Sequence, residues 1–297
     1  MKPLRFLLGL PLLYVLAIST STSFVSCKKT VTIYDTTIRI EHDTTIKPVH
    51  DTTIKTIHDT IIINDTIYDL GSGLVGYYNF NGGTLKDSSG FGNHITANNA
   101  TLTTDRFGVA SNAYLFDGSS SYMQIPNSPY LNPNAITMFA IVKVNGFYQG
   151  TCHANVIIMK GDRDDIQGLY TLRFTDNTAC TVAPNISDEK FSGTFGDDLP
   201  QGNAAGVSSN ETFVQTGQWY YLAFTYDGVT AKFYVNGQLT DSTTKTVSFT
   251  PNTHDLFFGK TENSTYPYYF NGAIDEVRIY NRALSATEIG VLYKMKK

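Results

Sequence analysis

The sequence has little of what nucleic-acid-binding proteins and helical bundles need. Its 297 residues contain one Trp and no run of basic residues, and 22 Lys and Arg against 26 Asp and Glu give a net charge of −4. Phosphate binding requires clustered Lys and Arg, so we expect no nucleic-acid partner. Only six of the acids are Glu, whereas Tyr (19), Phe (18) and Gly (24) are plentiful. This composition is typical of sheets and turns, and it excludes helical bundles and coiled coils.

The first 26 residues are predicted to be an export signal. Residues 1–5 carry positive charge, and the 13 residues 6–18 are apolar. That apolar length suits a signal peptide and is too short to span a bilayer, which takes about 20 residues.

The end of this signal resembles the lipobox of bacterial lipoproteins, in which a Cys becomes the lipidated N-terminus. Ser26 before Cys27 fits the pattern, whereas Phe24 stands where the family prefers Leu. We therefore expect an exported lipoprotein, lipidated at Cys27, in the outer membrane or at the cell surface of a Gram-negative bacterium. The alternative is cleavage near Ser23, which would leave Cys27 as a free thiol.

The other two cysteines, Cys152 and Cys180, are an even pair in a chain that we expect to be exported. Disulfides form and persist outside the cytoplasm, so we predict a bridge between them. It would close a loop of about 29 residues and contribute roughly 3–4 kcal/mol in the chain-entropy account. The alternative is two unpaired thiols in the core. The sequence has no Cys-x-x-Cys motif and no Cys/His ligand spacing, so structural zinc is not expected.

Residues 27–69 form a separate segment that repeats with a period of eight. The motif Asp-Thr-Thr-Ile begins at positions 35, 43 and 51, and Asp-Thr-Ile follows at positions 59 and 65. The β-branched Thr and Ile favour extended backbone, and an even period places the Asp and Ile side chains on opposite faces. One strand cannot bury an Ile face alone, so either copies associate between chains or the segment is an extended linker. We expect a linker, which would reach at most about 140 Å.

The repeat threonines resemble acceptors of periplasmic O-glycosylation in some Gram-negative bacteria. That pattern is Asp, then Ser or Thr, then an aliphatic residue or Thr. The predicted acceptors are Thr36, Thr44, Thr52, Thr60 and Thr66. Simple expansion of the repeat would produce the same pattern.

Residues 70–297 have the size of one large all-β sandwich. Runs rich in β-branched and aromatic residues recur between turn signals, among them Asp-Gly at 227–228 and Asn-Gly at 236–237. The predicted strands are 74–80, 113–116, 122–125, 136–144, 155–159, 169–174, 219–226, 231–235, 256–258 and 274–280. Ser285 and Glu288 form a capping box that predicts one short C-terminal helix. The predicted fold class is all-β, a two-sheet antiparallel sandwich with a short C-terminal helix after the linker.

Several motifs in this region share an order that is found in one family. They are Leu-Val-Gly-Tyr-Tyr-Asn-Phe at 74–80, the loop 87–94, the hairpin 113–118, the strands 219–237 and the closing strand 270–285. Together they resemble the LamG-like jelly-roll domains of the concanavalin A-like lectin/glucanase superfamily, over essentially residues 70–297. The resemblance implies a jelly roll. The chain departs from the family at 147–198, a long Asp- and Gly-rich insert where ligand-facing loops are expected.

The resemblance also implies a structural calcium ion, which LamG-like domains often hold between the first loop and the closing strand. Calcium takes about six to eight oxygen ligands from carboxylates, amides and carbonyls. The matching residues here are Asp87, Gly90, Gly92, Asn93 and Asp275. The alternative is that Asp87 and Asn93 make turn hydrogen bonds and that Asp275 pairs with an Arg such as Arg278.

Catalytic motifs are missing from the sequence. Glucanases of this superfamily resemble one another in a strand with the motif Glu-x-Asp-x-x-Glu. Glycoside hydrolysis needs such a pair of carboxylates. No two Glu residues of the region 70–297 have this spacing. Asp275 and Glu276 are adjacent, so on a regular strand they would point to opposite faces. A Gly-x-Ser-x-Gly motif is also lacking. The aromatic segment 266–270 offers rings for sugar stacking or, alternatively, for the core.

Three functions remain, and the ligand-binding residues are unknown at this stage. The leading hypothesis is a non-catalytic binding module that is anchored in the membrane by its lipid and binds a glycan. The first alternative is a structural or adhesive protein whose jelly roll binds another cell-surface protein. The second is a glycoside hydrolase with an unrecognised site.

Overall fold

The computed structural model describes most of the chain after the predicted signal. The described residues are 26–33, 36–44, 57–63, 66–150, 154–162, 167–175, 189–198 and 203–295. Their regular secondary structure is almost entirely β-strand, which confirms the predicted fold class. Within these ranges, no helix has the length and the apolar character that a membrane span requires.

Nineteen strands follow one another through the described residues, and one helix follows the last of them. The strands are β1 (Ser26–Ile33), β2 (Thr36–Thr44), β3 (Ile57–Ile63), β4 (Thr66–Asp69), β5 (Leu74–Tyr78), β6 (Ala97–Asn98), β7 (Thr101–Thr103), β8 (Ala113–Asp117), β9 (Met123–Ile125), β10 (Ile136–Gly146), β11 (Asn155–Lys160), β12 (Leu169–Thr175), β13 (Lys190–Gly196), β14 (Ala205–Phe213), β15 (Trp219–Tyr226), β16 (Thr230–Val235), β17 (Gln238–Thr244), β18 (Leu256–Phe258) and β19 (Asn271–Tyr280). The helix α1 spans Ala286–Lys294, and short 3-10 helices lie at Asn81–Gly83 and Pro129–Leu131.

Strands β5–β19 form the two antiparallel sheets of a jelly-roll sandwich. The larger sheet has the order β17-β16-β15-β10-β19-β8-β7, and β5 pairs with the C-terminal part of β19. The smaller sheet has the order β14-β13-β12-β11-β18-β9-β6. Strands distant in sequence are neighbours in space, as β10 and β19 are at the centre of the larger sheet. The segment 147–198 supplies β11 and β12, which match the predicted strands 155–159 and 169–174, and also β13, which was not predicted.

The core between the sheets follows from the two-residue alternation of the strands. Met138 and Ala140 of β10 face the interior, whereas Phe139 of the same strand faces outward under α1. Across the interior, the ring of Tyr78 meets that of Phe258 edge to face, with centroids 5.1 Å apart. Each such buried side chain contributes about 1.5–3 kcal/mol of transfer free energy, so this layer holds the sheets together.

The C-terminal helix covers the outer face of the larger sheet. Its predicted capping box is confirmed, because Ser285 Oγ accepts from the Glu288 backbone N–H at 3.3 Å and Glu288 Oε2 accepts from the Ser285 N–H at 2.7 Å. Ile289 and Leu292 then pack into the cluster that contains Phe139.

The described parts of the repeat segment are β-strands. Strands β1, β2, β3 and β4 pair in that order as an antiparallel sheet within one chain. For example, Thr30 pairs with Arg39, and Arg39 pairs in turn with Ile62. The reason is that an extended strand leaves its backbone donors and acceptors open, and chain reversal lets successive repeats satisfy one another.

Candidate functional site

The loop that follows β5 is organised by one buried carboxylate. Asp87 Oδ1 accepts hydrogen bonds from the backbone N–H of Tyr77 at 2.9 Å and of Ser89 at 2.8 Å. Its Oδ2 accepts from Ser89 Oγ at 2.8 Å and from the Asn93 N–H at 2.9 Å. Asn93 is fixed in addition by its Nδ2, which donates to the Val75 carbonyl at 2.7 Å. The loop 87–94 is therefore tied to β5 through its two ends.

The middle of this loop presents an aromatic ring to solvent. Gly90 and Gly92 have φ values of 93° and 75°, the left-handed region that glycine adopts without a steric cost. Phe91 lies between them, and 42% of its surface is exposed. Phe91 lies outside the core, but the hydrogen bonds of Asp87 fix both ends of the loop that carries it.

A second exposed ring meets it from the 3-10 helix Pro129–Leu131. Leu131 is fully buried and anchors this turn, whereas 51% of the Tyr130 surface is exposed. The rings of Phe91 and Tyr130 meet edge to face, with centroids 4.6 Å apart and planes at 66°. Among the described residues, exposed aromatic rings of this kind are few, so an exposed pair points to a ligand surface.

Tyr130 also lines an open pocket of about 370 Å³. The pocket wall is rich in amide side chains and Pro rings, and consists of Pro129, Tyr130, Asn132, Pro133, Asn134, Ala135 and Asn281. Asn132 is held by its Oδ1, which accepts from the Asn252 N–H at 3.2 Å, and by its Nδ2, which donates to the Ser128 carbonyl at 3.1 Å. We name the two rings and this pocket together the Phe91–Tyr130 site.

The chemistry of this site suits a neutral polyhydroxylated ligand. An aromatic ring offers a flat apolar face, and an Asn amide offers both a donor and an acceptor. The pocket residues include no ionisable side chain other than Tyr130. The lining therefore provides orientation through hydrogen bonds from its amides and contact area through its aromatic ring.

The residues that were predicted to bind calcium are engaged in other contacts. All four hydrogen bonds to Asp87 come from protein donors, as the turn interpretation requires. Asp275 is buried, and its Oδ2 lies 2.5 Å from Arg106 Nη1. Within the described part of the chain, no group of three or more His, Cys, Asp or Glu has an arrangement that could hold a metal. The contacts of Asp87 and Asp275 are those of the turn and ion-pair alternative, and a calcium ion at Asp87, Gly90, Gly92, Asn93 and Asp275 stays a prediction of the resemblance.

The adjacent carboxylates of β19 do not point to opposite faces as a regular strand would require. Ile141 pairs with Glu276 and Val142 pairs with Ile274, so Asp275 is the extra residue of a β-bulge. Both carboxylates reach Arg106, at 2.5 Å from Asp275 and 3.9 Å from Glu276. The bulge thus brings two acids to one side of the strand.

These two acids are neutralised by arginines. Asp275 pairs with an Arg, as the alternative to calcium predicts, but its partner is Arg106, whereas Arg278 Nε lies 2.7 Å from Glu276 Oε1. Burial lowers the pKa of Arg106, but the Asp275 and Glu276 carboxylates outweigh it and raise that pKa above its usual value. The cluster thus joins Arg106 and Arg278 to the two acids of β19.

The aromatic segment 266–270 contributes mainly to packing. Tyr268 and Phe270 are buried, and the Tyr268 ring lies 6.2 Å from that of Tyr148 on the outer face of the smaller sheet. Tyr266 and Tyr269 are half-buried. Tyr268 and Phe270 therefore pack inside the protein, as the alternative to sugar stacking predicts.

The remaining predicted sites lie in the repeat segment, residues 27–69, or outside the described residues. Cys152, Cys180 and Thr52 lie outside the described residues. Cys27 lies in β1, Thr36 and Thr44 at the ends of β2, Thr60 in β3 and Thr66 at the start of β4. Lipidation, the disulfide and O-glycosylation stay predictions.

Comparison with known proteins agrees with this architecture. Residues 117–290 match the family model of the concanavalin A-like lectin/glucanases superfamily. The chain belongs to this superfamily. No curated protein matches the sequence. The match covers strands β9–β19 of the two sheets.

Three similar structures illustrate the range of proteins that carry this fold. Domain 4 of AbnA, a GH43 extracellular arabinanase from Geobacillus stearothermophilus in complex with arabinotriose, is 21% identical with a TM-score of 0.54; the match covers 75% of this chain and 98% of that domain. The binding domain of Paraclostridial Mosquitocidal Protein 1 is 15% identical, with a TM-score of 0.57 and coverage of 76% and 52%. A structure of botulinum neurotoxin type C, whose cell entry depends on two ganglioside molecules, is 12% identical, with a TM-score of 0.55 and coverage of 75% and 51%. The chain spans about half the length of the two toxin structures, and at these identities the likeness is one of fold.

Sequence reasoning missed the two rings of the site. Phe91 was visible in the motif Gly-Phe-Gly, where an apolar ring between two glycines has no neighbour to bury it. Tyr130 carried no comparable signal, because its approach to Phe91 depends on how two separate loops meet.

Proposed function

We propose that this superfamily member is a non-catalytic binding module whose ligand is a glycan. The observation that carries the proposal is the Phe91–Tyr130 site, in which two exposed rings meet edge to face beside an amide-lined pocket. Support also comes from two structures of similar fold, an arabinanase domain in complex with arabinotriose and a neurotoxin that interacts with gangliosides.

The site would bind a sugar through two kinds of contact. The exposed part of the Tyr130 ring packs against the C–H face of a sugar ring, and the edge contact from Phe91 keeps the Tyr130 ring in place. Asn134 and Asn281 border the same pocket and are exposed, so their amides can exchange hydrogen bonds with hydroxyl groups. Because the two loops are already fixed by Asp87 and Leu131, little side-chain order is lost on binding.

A non-catalytic role is supported by the state of the carboxylates. Retaining and inverting glycosidases use two carboxyl groups about 5–9 Å apart, of which one must act as an acid. The clustered acids of β19 face Arg106 and Arg278 instead. The pocket itself has no carboxylate in its lining.

We further propose that the module is held at a membrane by a lipid on Cys27 and faces outward on the repeat segment. A single acyl chain binds a membrane only marginally, whereas the several chains of a lipoprotein hold stably. The bridge between Cys152 and Cys180 and glycans on the repeat threonines are proposed for the same exported protein.

A glycan array with matched variants tests the function. We expect the unaltered protein to bind a defined set of glycans and Tyr130→Ala to bind them about tenfold or more weakly, which corresponds to about 1.4 kcal/mol. Phe107→Ala is the control, because Phe107 is also an exposed aromatic residue (42%, against 51% for Tyr130) but does not line the pocket. Equal loss in both variants, or no glycan binding at all, would contradict the proposal. Capture of one protein partner would favour adhesion, and release of sugar would favour a hydrolase.

A further inference from the structure

A buried lysine touches a carboxamide at the edge of the sandwich interior. Lys160 ends β11, where it pairs with Tyr170 of β12 and Leu256 of β18, and its side chain has no exposed surface. Its Nζ donates a hydrogen bond of 2.5 Å to Oδ1 of Asn252, in the loop before β18. The C=O bond is about 1.2 Å long, so Nζ lies at most about 3.7 Å from Asn252 Cγ.

The carboxamide of Asn252 is held in place on every side. Its Nδ2 donates to the carbonyls of Gln167 at 2.8 Å and Gly168 at 3.0 Å. Its Oδ1 accepts from the backbone N–H of His254 at 3.1 Å as well as from Lys160. The carbonyl is thus polarised by a backbone donor, and the hydrogen bond keeps the amine next to the amide carbon, so that a reaction between them would be intramolecular.

Burial also makes the amine of Lys160 a better nucleophile. Desolvation lowers the pKa of Lys160 to about 8, although the Asp255 and Glu262 carboxylates act in the opposite direction. Both acids have other partners. Asp255 accepts from Gln124 Nε2 at 2.6 Å, and Glu262 lies 2.8 Å from His254 Nδ1. A pKa near 8 leaves roughly one molecule in ten with a neutral amine near pH 7, and the neutral amine is the reactive form.

We propose that Lys160 and Asn252 join in an intramolecular isopeptide bond. The neutral Nζ attacks Cγ of Asn252, a bond forms between Nζ and Cγ, and the bond between Cγ and Nδ2 breaks. The leaving Nδ2 takes one proton from Nζ and departs as ammonia, so atoms and charges balance without an oxidant or a cofactor. The His254 N–H stabilises the oxygen of the tetrahedral intermediate, and the Gln167 and Gly168 carbonyls accept the hydrogens of the leaving group.

The bond would brace the Phe91–Tyr130 site. Asn252 donates its backbone N–H to Oδ1 of Asn132, which lines the pocket. A covalent link from β11 to Asn252 would therefore fix the pocket wall to the centre of the smaller sheet. The inference does not depend on the glycan proposal, because the chemistry involves only these two side chains.

Peptide mapping of the full-length protein tests the bond directly. Lys160 in an isopeptide resists trypsin, so digestion of the denatured, reduced protein should give peptide 144–163 joined to peptide 246–260, with one ammonia lost. Peptide 144–160 and unmodified peptide 246–260 as the main forms would overturn the proposal, whatever the behaviour of any variant.

Two variants locate the bond. Lys160→Arg keeps a donor for Asn252 but removes the nucleophile, so the joined peptide should disappear. Lys260→Arg is the matched control, since Lys260 lies over the ring of Tyr122 at 4.3 Å rather than against an amide; its joined peptide should remain. A joined peptide that survives Lys160→Arg would also overturn the assignment.

Discussion

The ring of Phe91 meets the ring of Tyr130 at a centroid distance of 4.6 Å, although both rings are exposed and come from different loops. Each ring has its own anchor in the sandwich. The Asp87 carboxylate fixes the loop on one side, and the buried Leu131 fixes the turn on the other. The contact is therefore a meeting of two rigid loops, and it defines the part of the surface that we assign to the ligand.

This contact predicts a measurable coupling between the two residues. Edge-to-face aromatic pairs contribute about 0.5–1.5 kcal/mol beyond the area that they bury, and exposure places this pair at the lower end. A double-mutant cycle of Phe91→Ala and Tyr130→Ala, measured by urea unfolding, should give a coupling of about 0.5 kcal/mol or more. A parallel cycle of Phe107→Ala and Tyr130→Ala should be additive. Additivity in both cycles would show that the rings do not interact.

The sequence predicts the central strands well because their apolar residues alternate or run continuously. The predicted strands 219–226 and 256–258 coincide with β15 and β18. Strand β17, Gln-Leu-Thr-Asp-Ser-Thr-Thr, was not predicted. It is an edge strand whose residues are exposed or half-buried, so it lacks an apolar pattern. Its formation depends on pairing with β16, which is a property of the tertiary structure.

The candidate site was less accessible to sequence reasoning. The role of Asp87 follows from a turn signal, which is local, and its hydrogen bonds were weighed as an alternative to calcium. The bulge at Asp275 is not local, since it depends on the register of β19 against β10. A one-residue shift of this kind changes which side chains share a face, so the contact of Asp275 with Arg106 could not be read from the sequence.

Arg106 is predicted to be essential to the stability of the domain. Its side chain is almost completely buried against Asp275 and Glu276, so Arg106→Met leaves two buried acids without this partner. We expect a loss of about 3–5 kcal/mol in the free energy of unfolding, measured by chemical denaturation. The double variant Arg106→Met with Asp275→Leu should recover part of the loss, because it replaces both partners by apolar groups. A single variant as stable as the unaltered protein would contradict the prediction.

Asp197 is predicted to stabilise the fold at neutral pH and to lose this contribution at acid pH. Its carboxylate is 9% exposed and accepts from the Gly168 N–H at 2.7 Å, the Thr250 N–H at 2.9 Å and Thr250 Oγ at 2.8 Å. Burial raises the pKa of Asp197, but the hydrogen bonds from Thr250 and Gly168 prevail and lower it below its usual value.

A lowered pKa in the folded state fixes the direction of the pH effect. The contribution of Asp197 is complete above its unfolded pKa of about 3.9 and is lost as pH falls through the lower folded pKa. Asp197→Asn should therefore be less stable at pH 7 by about 1.5–3 kcal/mol, and the difference should shrink below pH of about 4. Denaturant titrations over this pH range measure it, and a difference that does not change with pH would argue against the assignment.

Cys27 is predicted to attach the protein to the membrane. Cys27→Ser removes the thiol on which the lipid anchor would be built. We expect the protein to move from the membrane fraction to the soluble fraction of the producing cells. Lys29→Arg, which keeps the charge and lies outside the lipobox, serves as a control for altered sequence near the cleavage site. If Cys27→Ser stays in the membrane fraction, the lipid anchor at Cys27 is contradicted.

Asp87 is predicted to be the residue on which the Phe91 loop depends. Asp87→Ala would leave the backbone N–H groups of Tyr77 and Asn93 without their acceptor, and Ser89 would lose both of its contacts to the carboxylate. Hydrogen bonds to a charged group contribute about 1.5–3 kcal/mol each, and part of this is regained from water at the exposed Ser89. We expect the free energy of unfolding to fall by about 2–4 kcal/mol. Glycan binding should also weaken, because Phe91 is no longer fixed.

The same residue decides the calcium prediction. A bound ion adds stability that grows with its concentration, about 2.7 kcal/mol at a hundredfold excess over the dissociation constant. Because the Asp87 oxygens already accept four hydrogen bonds and Asp275 faces Arg106, we expect the melting temperature to be the same in EGTA and in calcium. Asp87→Ala should then melt lower by an equal amount in both solutions. A melting temperature that falls in EGTA, recovers with calcium and loses this response in Asp87→Ala would instead establish the ion that the family resemblance implies.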